Sequence, residues 1–181
     1  PGMLLWLVTP LIVSLCLRAF GRDGWRDTGI RPLFSGNVKW YIVSLLIFPV
    51  VTLITIFIGN IFGWITFTGF NLSAFLSTFA LALVPNFIKN IPEEFVWRGY
   101  LTPKLASLKI NDFSLYLIVG LIWGLWHIPY YLYFLDSATI NDFTALRLDV
   151  FIFITIITMI AWSIVFVEIW FLTKSIWPAV L

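Results

Sequence analysis

Apolar residues in this chain run in long blocks, and the polar ones gather in short intervals between them. Trp40 to Phe62 is 23 residues without a charge. Phe113 to Leu135 is broken only by His127, and Val150 to Leu172 only by Glu168. Asn71 to Ile88 forms another block that continues through a polar interruption towards Leu105, and Met3 to Leu17 a shorter one ending at Arg18. About 20 apolar residues in a helix cross the roughly 30 Å of hydrocarbon in a bilayer. The pattern therefore predicts five spans, and Ser175 to Leu181 reads as the first two turns of a sixth. With no water at that depth each span must satisfy its own backbone, which requires helices. The alternation of barrel strands is absent. The expected fold is an all-α polytopic transmembrane bundle.

Composition agrees. Hydrophobic residues make up 61% of the 181 and charged residues 11%, against roughly 45–50% and about 25% in soluble domains. One core could not hide that much apolar surface, and disorder requires the opposite bias. The net charge of +2, with basic residues spread along the chain, forms no nucleic-acid stripe. Cys16 alone excludes an intramolecular disulfide or a CxxC metal site. No internal repeat supports transporter symmetry.

The intervals alternate in charge. Segment 18–39 holds Arg18, Arg22, Arg26, Arg31 and Lys39, and segment 98–112 holds Arg98, Lys104 and Lys109. Segment 63–71 holds no basic residue, and 136–149 holds only Arg147 beside three aspartates. The positive-inside rule then places the N-terminus outside and loops 18–39 and 98–112 in the cytoplasm of a multi-pass cell-membrane protein. A chain that opens Pro1-Gly2 and stops inside an apolar run reads as cut at both ends.

An ionisable group inside a span costs at least about 2.5–3.5 kcal/mol, so each is a functional candidate. The densest cluster runs from Lys89 through Asn90, Pro92, Glu93 and Glu94 to Arg98. Pro92 has no N–H for the Ile88 carbonyl, so a break or restart of the helix is expected there. Glu94 and Arg98 stand four apart in the favourable order. This spacing assigns Glu94 to Arg98 and leaves Glu93 as the free carboxylate, suited to general-base work. Two structural roles compete: Glu93 three residues after Asn90 fits a helix cap, and Lys89 one turn back could neutralise it. His127, the sole histidine, lies about 13 Å below the outer face, and Glu93 about 16 Å above the inner one. The two share a level. Gly120 and Gly124 make a seam for close helix approach, and Trp123 shares the His127 face. Glu168 is a third buried acid, expected to pair with Lys89 or Arg98 or to be protonated. Asn60 and Asn86 are expected to hold interhelical hydrogen bonds.

Glu93-Glu94-Phe95-Val96-Trp97-Arg98 resembles the EExxxR motif of the CAAX protease and bacteriocin-processing (CPBP, or Abi) intramembrane proteases, which include the type II CAAX prenyl endopeptidases. Trp123 to His127 resembles their FxxxH motif, with Trp in place of Phe. Trp25 to Arg31 and Ser175 to Leu181 are similar to further family segments. The likeness covers residues 70–181 well, the protease domain it implies, and spans 1–69 loosely. It implies that Glu93 and His127 activate a water for attack on a peptide bond, with Glu94 in the catalytic motif. Arg98 and Trp123 would support that motif. The substrate it implies is a membrane-associated peptide or protein, prenylated or a precursor, met in the lipid bilayer. The family's third motif, a His followed four residues later by Asn or Asp, is expected soon after Leu181, where its donors would stabilise an oxyanion. A catalytic zinc usually takes three protein ligands. With one His here, metal-free glutamate chemistry without a cofactor is favoured over zinc. The competing reading is a non-catalytic scaffold or bacteriocin-immunity protein that keeps the fold.

Overall fold

A computed structural model describes residues 2–66, 69 and 71–181. Phe67, Thr68 and Phe70, in the non-basic interval, lie outside the described residues. The chain is all-α: α1 (Gly2–Phe20), α2 (Val38–Ile61), α3 (Leu72–Val96), a π-helical turn (Trp97–Leu101), α4 (Thr102–Ser107), α5 (Asp112–Pro129), a second π-helical turn (Tyr130–Phe134), α6 (Ser137–Phe143), α7 (Leu148–Thr173) and α8 (Trp177–Val180). Among the described residues five helices are long and apolar enough to cross a membrane, as the blocks predict. It is a multi-pass membrane protein.

Helix starts follow local chemistry. Asn71 accepts from the Ala74 amide and Asn111 from the Ser114 amide, each satisfying an orphan N–H. α2 exposes nearly all of its large apolar side chains and buries only Ser44 and Gly59, the distribution of a lipid-facing helix. The sixth helix begins later than its sequence suggests: Ser175 and Ile176 precede the single turn of α8.

The tightest packing is α5 against α7. A Cβ on Gly120 would stand 2.4 Å from the Ile160 Cα, and one on Gly124 would stand 3.1 Å from the Ile156 Cα. The seam read from the sequence is therefore where two backbones meet. Ser163 Oγ crosses it to the Tyr116 carbonyl at 2.7 Å. Gly120→Ala improves helix propensity by about 1 kcal/mol but must force the helices apart. We expect a net loss of about 1–3 kcal/mol, read as a lower thermal midpoint in detergent. A raised midpoint would mean that α7 is not held at this distance.

Two expectations are corrected here. The helix does not restart at Pro92: α3 runs through Pro85 and Pro92 to Val96. A proline removes one backbone bond, and in hydrocarbon every alternative to helix leaves more groups unsatisfied. Asn90 is accordingly no cap; its Nδ2 donates to the Val180 carbonyl at 3.2 Å and ties α3 to α8. Arg18, counted above with the basic segment 18–39, belongs to α1. Its side chain is fully buried at the end of α1. It donates to the Gly24 carbonyl at 2.5 Å, to Asp27 at 2.6 Å and to the Gly99 carbonyl at 2.5 Å. Pro103 has no N–H to give the Gly99 carbonyl in an i→i−4 bond, and Arg18 fills that place.

Candidate active site

The irregular backbone sits beside the ionisable residues. The first π-helical turn begins three residues after Glu94, and the Thr102 amide and hydroxyl both reach the Trp97 carbonyl. The second follows His127 by three residues, just past Pro129. Such widened turns inside helices recur at functional sites because they re-aim side chains without ending the helix.

Glu94 and Arg98 form the pair that their spacing predicts, at 2.9 Å, with side chains 6% and 0% exposed. The guanidinium lies 4.4 Å from the Trp123 ring centre and 4.5 Å from that of Phe166. Among the described residues only its Nη1 is hydrogen-bonded, so its two faces and one ion pair hold it. This binds α3 to α5 and α7 through one cation. Trp123 is the wall of that arrangement.

Glu93 points elsewhere. It is not free: Lys89 Nζ stands 3.1 Å from its Oε1, with the lysine side chain 48% exposed and the glutamate 13%. The two lie four residues apart on α3, so one helix face carries both. The glutamate lines a small cleft between α1, α3 and α5 with Leu7, Pro10, Pro92, Trp97 and Trp126. Trp126 stacks on Trp6 at 4.2 Å and meets Trp97 edge-on at 5.5 Å. Trp6 Nε1 also donates to the Trp126 carbonyl at 3.0 Å.

His127 is half-buried beside that cleft, its ring 5.0 Å from Trp126, 6.2 Å from Trp123 and 6.2 Å from Tyr131. Its Nδ1 lies 2.8 Å from the Trp123 carbonyl. A carbonyl only accepts, so Nδ1 carries the hydrogen and Nε2 presents a lone pair. The aromatic cage and this bond fix the ring's direction.

Glu168 joins neither cation. The Tyr116 hydroxyl of α5 donates to its Oε1, and the residue is half-buried rather than buried. The reason is rotational: Glu168 faces the α5 seam, away from Lys89 and Arg98. Asn60 and Asn86 bond within their own neighbourhoods, to the Ile65 and Ala82 carbonyls, rather than between helices. Among the described residues no three His, Cys, Asp or Glu side chains gather as a metal-binding set. Arg18, Trp6 and Trp126 are the site's neighbours that sequence reasoning missed. The only signal for Arg18 was a cation ending an apolar block.

The fold and the site define a multi-pass helical membrane protein with a carboxylate and an imidazole beside one aromatic cleft. A family model described as type II CAAX prenyl endopeptidase Rce1-like matches residues 73–181, more than half of the chain, and the chain belongs to that family of proteases. No curated protein and no solved structure matches it significantly.

Proposed function

We propose that this protein is an intramembrane endopeptidase in which Glu93, with His127, activates a water to hydrolyse a peptide bond of a membrane-associated substrate. The observation that carries the reading is the opening of the Glu93 carboxylate onto the aromatic cleft beside the oriented His127. A water held there donates one hydrogen to Glu93 and the other to the lone pair on Nε2. That leaves an oxygen lone pair for the peptide carbonyl. As the bond forms, Glu93 takes the proton, and it returns that proton to the amine when the C–N bond breaks. Glu94 and Arg98 keep the motif helix in register. Family membership supports a prenylated C-terminal peptide as substrate.

The test uses the purified protein in proteoliposomes with a farnesylated peptide and its unprenylated counterpart. Cleavage of the farnesylated peptide is expected, together with a loss of about 10²–10⁴-fold in His127→Gln. We propose that no metal takes part, so a zinc chelator should leave the rate unchanged. Inhibition reversed by added zinc would replace the glutamate mechanism. Failure to cleave any membrane-anchored peptide would favour the scaffold.

We further propose the orientation that the basic intervals indicate, with segment 18–39 cytoplasmic. In a Cys16→Ser background, a cysteine at exposed Ser35 should react with an impermeant maleimide only from the cytoplasmic side. One at exposed Ala138 should react only from outside. Labelling of both from one face would contradict five crossings.

A further inference from the structure

A second concavity lies away from the cleft, at the end of the bundle where α1 and α7 finish. It has a volume of about 610 Å³ and is lined by Trp25, Arg26, Ile30, Arg31, Leu33 and Lys174 among others. Its wall is built. The Ile176 amide donates to the Gly29 carbonyl at 2.9 Å, Ser175 Oγ to the Arg31 carbonyl at 2.9 Å, and Trp177 Nε1 to the Ile30 carbonyl. Gly29 has φ +65, and a Cβ there would meet the Lys174 carbonyl and Trp170 Nε1 at 3.2 Å. The segment from Trp25 to Leu33 is thereby pinned to the junction of α7 and α8.

Among the described residues no carboxylate compensates the charge of this wall. Segment 18–39 has two acids, and both are engaged elsewhere. Asp27 pairs with Arg18 and, at 3.7 Å, with Lys104. Asp23 accepts from the Tyr100 hydroxyl at 2.7 Å and pairs with Lys104 at 3.4 Å. The Tyr100 hydroxyl, then Lys104, holds the Asp23 carboxyl below its usual range, so it remains an anion in its own pair. Among the described residues Arg26 and Arg31 have no carboxylate within ion-pair distance, and both are exposed. Lys174, in the left-handed conformation that ends α7, stands over the Trp170 and Phe171 rings, and among the described residues it pairs with no acid.

We propose that this groove binds the phosphate headgroup of an anionic lipid. Two guanidinium forks suit a phosphate diester. The position directly after two spans is the headgroup level of a bilayer, where basic pockets between helices recognise such groups. The apolar rim decides between a lipid and a soluble anion. Trp25, Ile30 and Leu33 are 47%, 44% and 44% exposed and would meet the glycerol and upper acyl chain of a lipid. The inference is independent of the protease reading.

Native mass spectrometry of the detergent-solubilised full chain tests it with phosphatidylglycerol, phosphatidylcholine and inorganic phosphate as probes. Phosphatidylglycerol should bind about tenfold more tightly than phosphatidylcholine, and Arg26→Gln/Arg31→Gln should bring the two level. A control, Arg22→Gln/Lys109→Gln, removes the same charge away from the groove and should change binding less than twofold. Millimolar inorganic phosphate should not displace the lipid. Thermal unfolding checks that the double variant is folded; if it is not, Arg26→Gln alone should still lower lipid binding about threefold. Equal binding of the two lipids, retained preference in a folded groove variant, or equal loss in the control would overturn the proposal. So would displacement by phosphate, which would make the ligand a soluble anion.

Discussion

Glu93→Gln is expected to lower peptide hydrolysis by about 10²–10⁴-fold while the protein stays folded. Glutamine keeps the shape of the side chain and an oxygen that still accepts from Lys89, so the contact at 3.1 Å survives in neutral form. Lys89 keeps a hydrogen-bond acceptor, and trading a charge-assisted hydrogen bond for a neutral one costs about 1 kcal/mol. Stability should therefore change little. What disappears is the ability to take a proton from water. Steady-state cleavage of the farnesylated peptide, beside the thermal midpoint of the same sample, separates the two effects. Full activity in Glu93→Gln would remove this carboxylate from the mechanism.

The adjacent acid is expected to behave in the opposite way. Glu94→Gln leaves the Arg98 guanidinium buried without its counter-charge, which costs about 3–5 kcal/mol. That is a large part of the roughly 5–15 kcal/mol that stabilises a typical domain. The Trp123 and Phe166 faces remain, at 4.4 and 4.5 Å, but cation–π contact adds only about 2 kcal/mol or more when desolvated. The expected result is a strongly lowered thermal midpoint and poor recovery from the membrane. Removing both charges should be milder than removing one, because no isolated ion is left behind. Glu94→Gln/Arg98→Met is thus expected to be more stable than Glu94→Gln alone. A Glu94→Gln protein that melts like the parent yet has lost all cleavage would give Glu94 the chemical role instead.

Much of this was legible in the linear chain, and for a common reason. Span positions follow from the length of apolar blocks against a membrane of known thickness. The Glu94–Arg98 pair and the Gly120–Gly124 seam are set by the helix period alone, and both stand in the structure. Lys89 and Glu93 obey the same period. Their bridge was legible too, and the reading of Glu93 as the free acid gave it too little weight.

Relations between helices were not legible, because they depend on how each helix is rotated about its axis. Tyr116 is the partner of Glu168 only because α5 and α7 meet along the glycine seam. Arg18 is a buried clamp because α1 ends beside Asp27 and the Gly24 and Gly99 carbonyls, the last of them 81 residues away in the chain. The stacking of Trp6 on Trp126 brings α1 to the Glu93 cleft, although 120 residues separate the two tryptophans in the chain. The sequence by itself determined the helices and the polar pairs within them. Only tertiary packing decided which faces meet, since a helix presents its whole circumference and one contact at a distant turn selects the face.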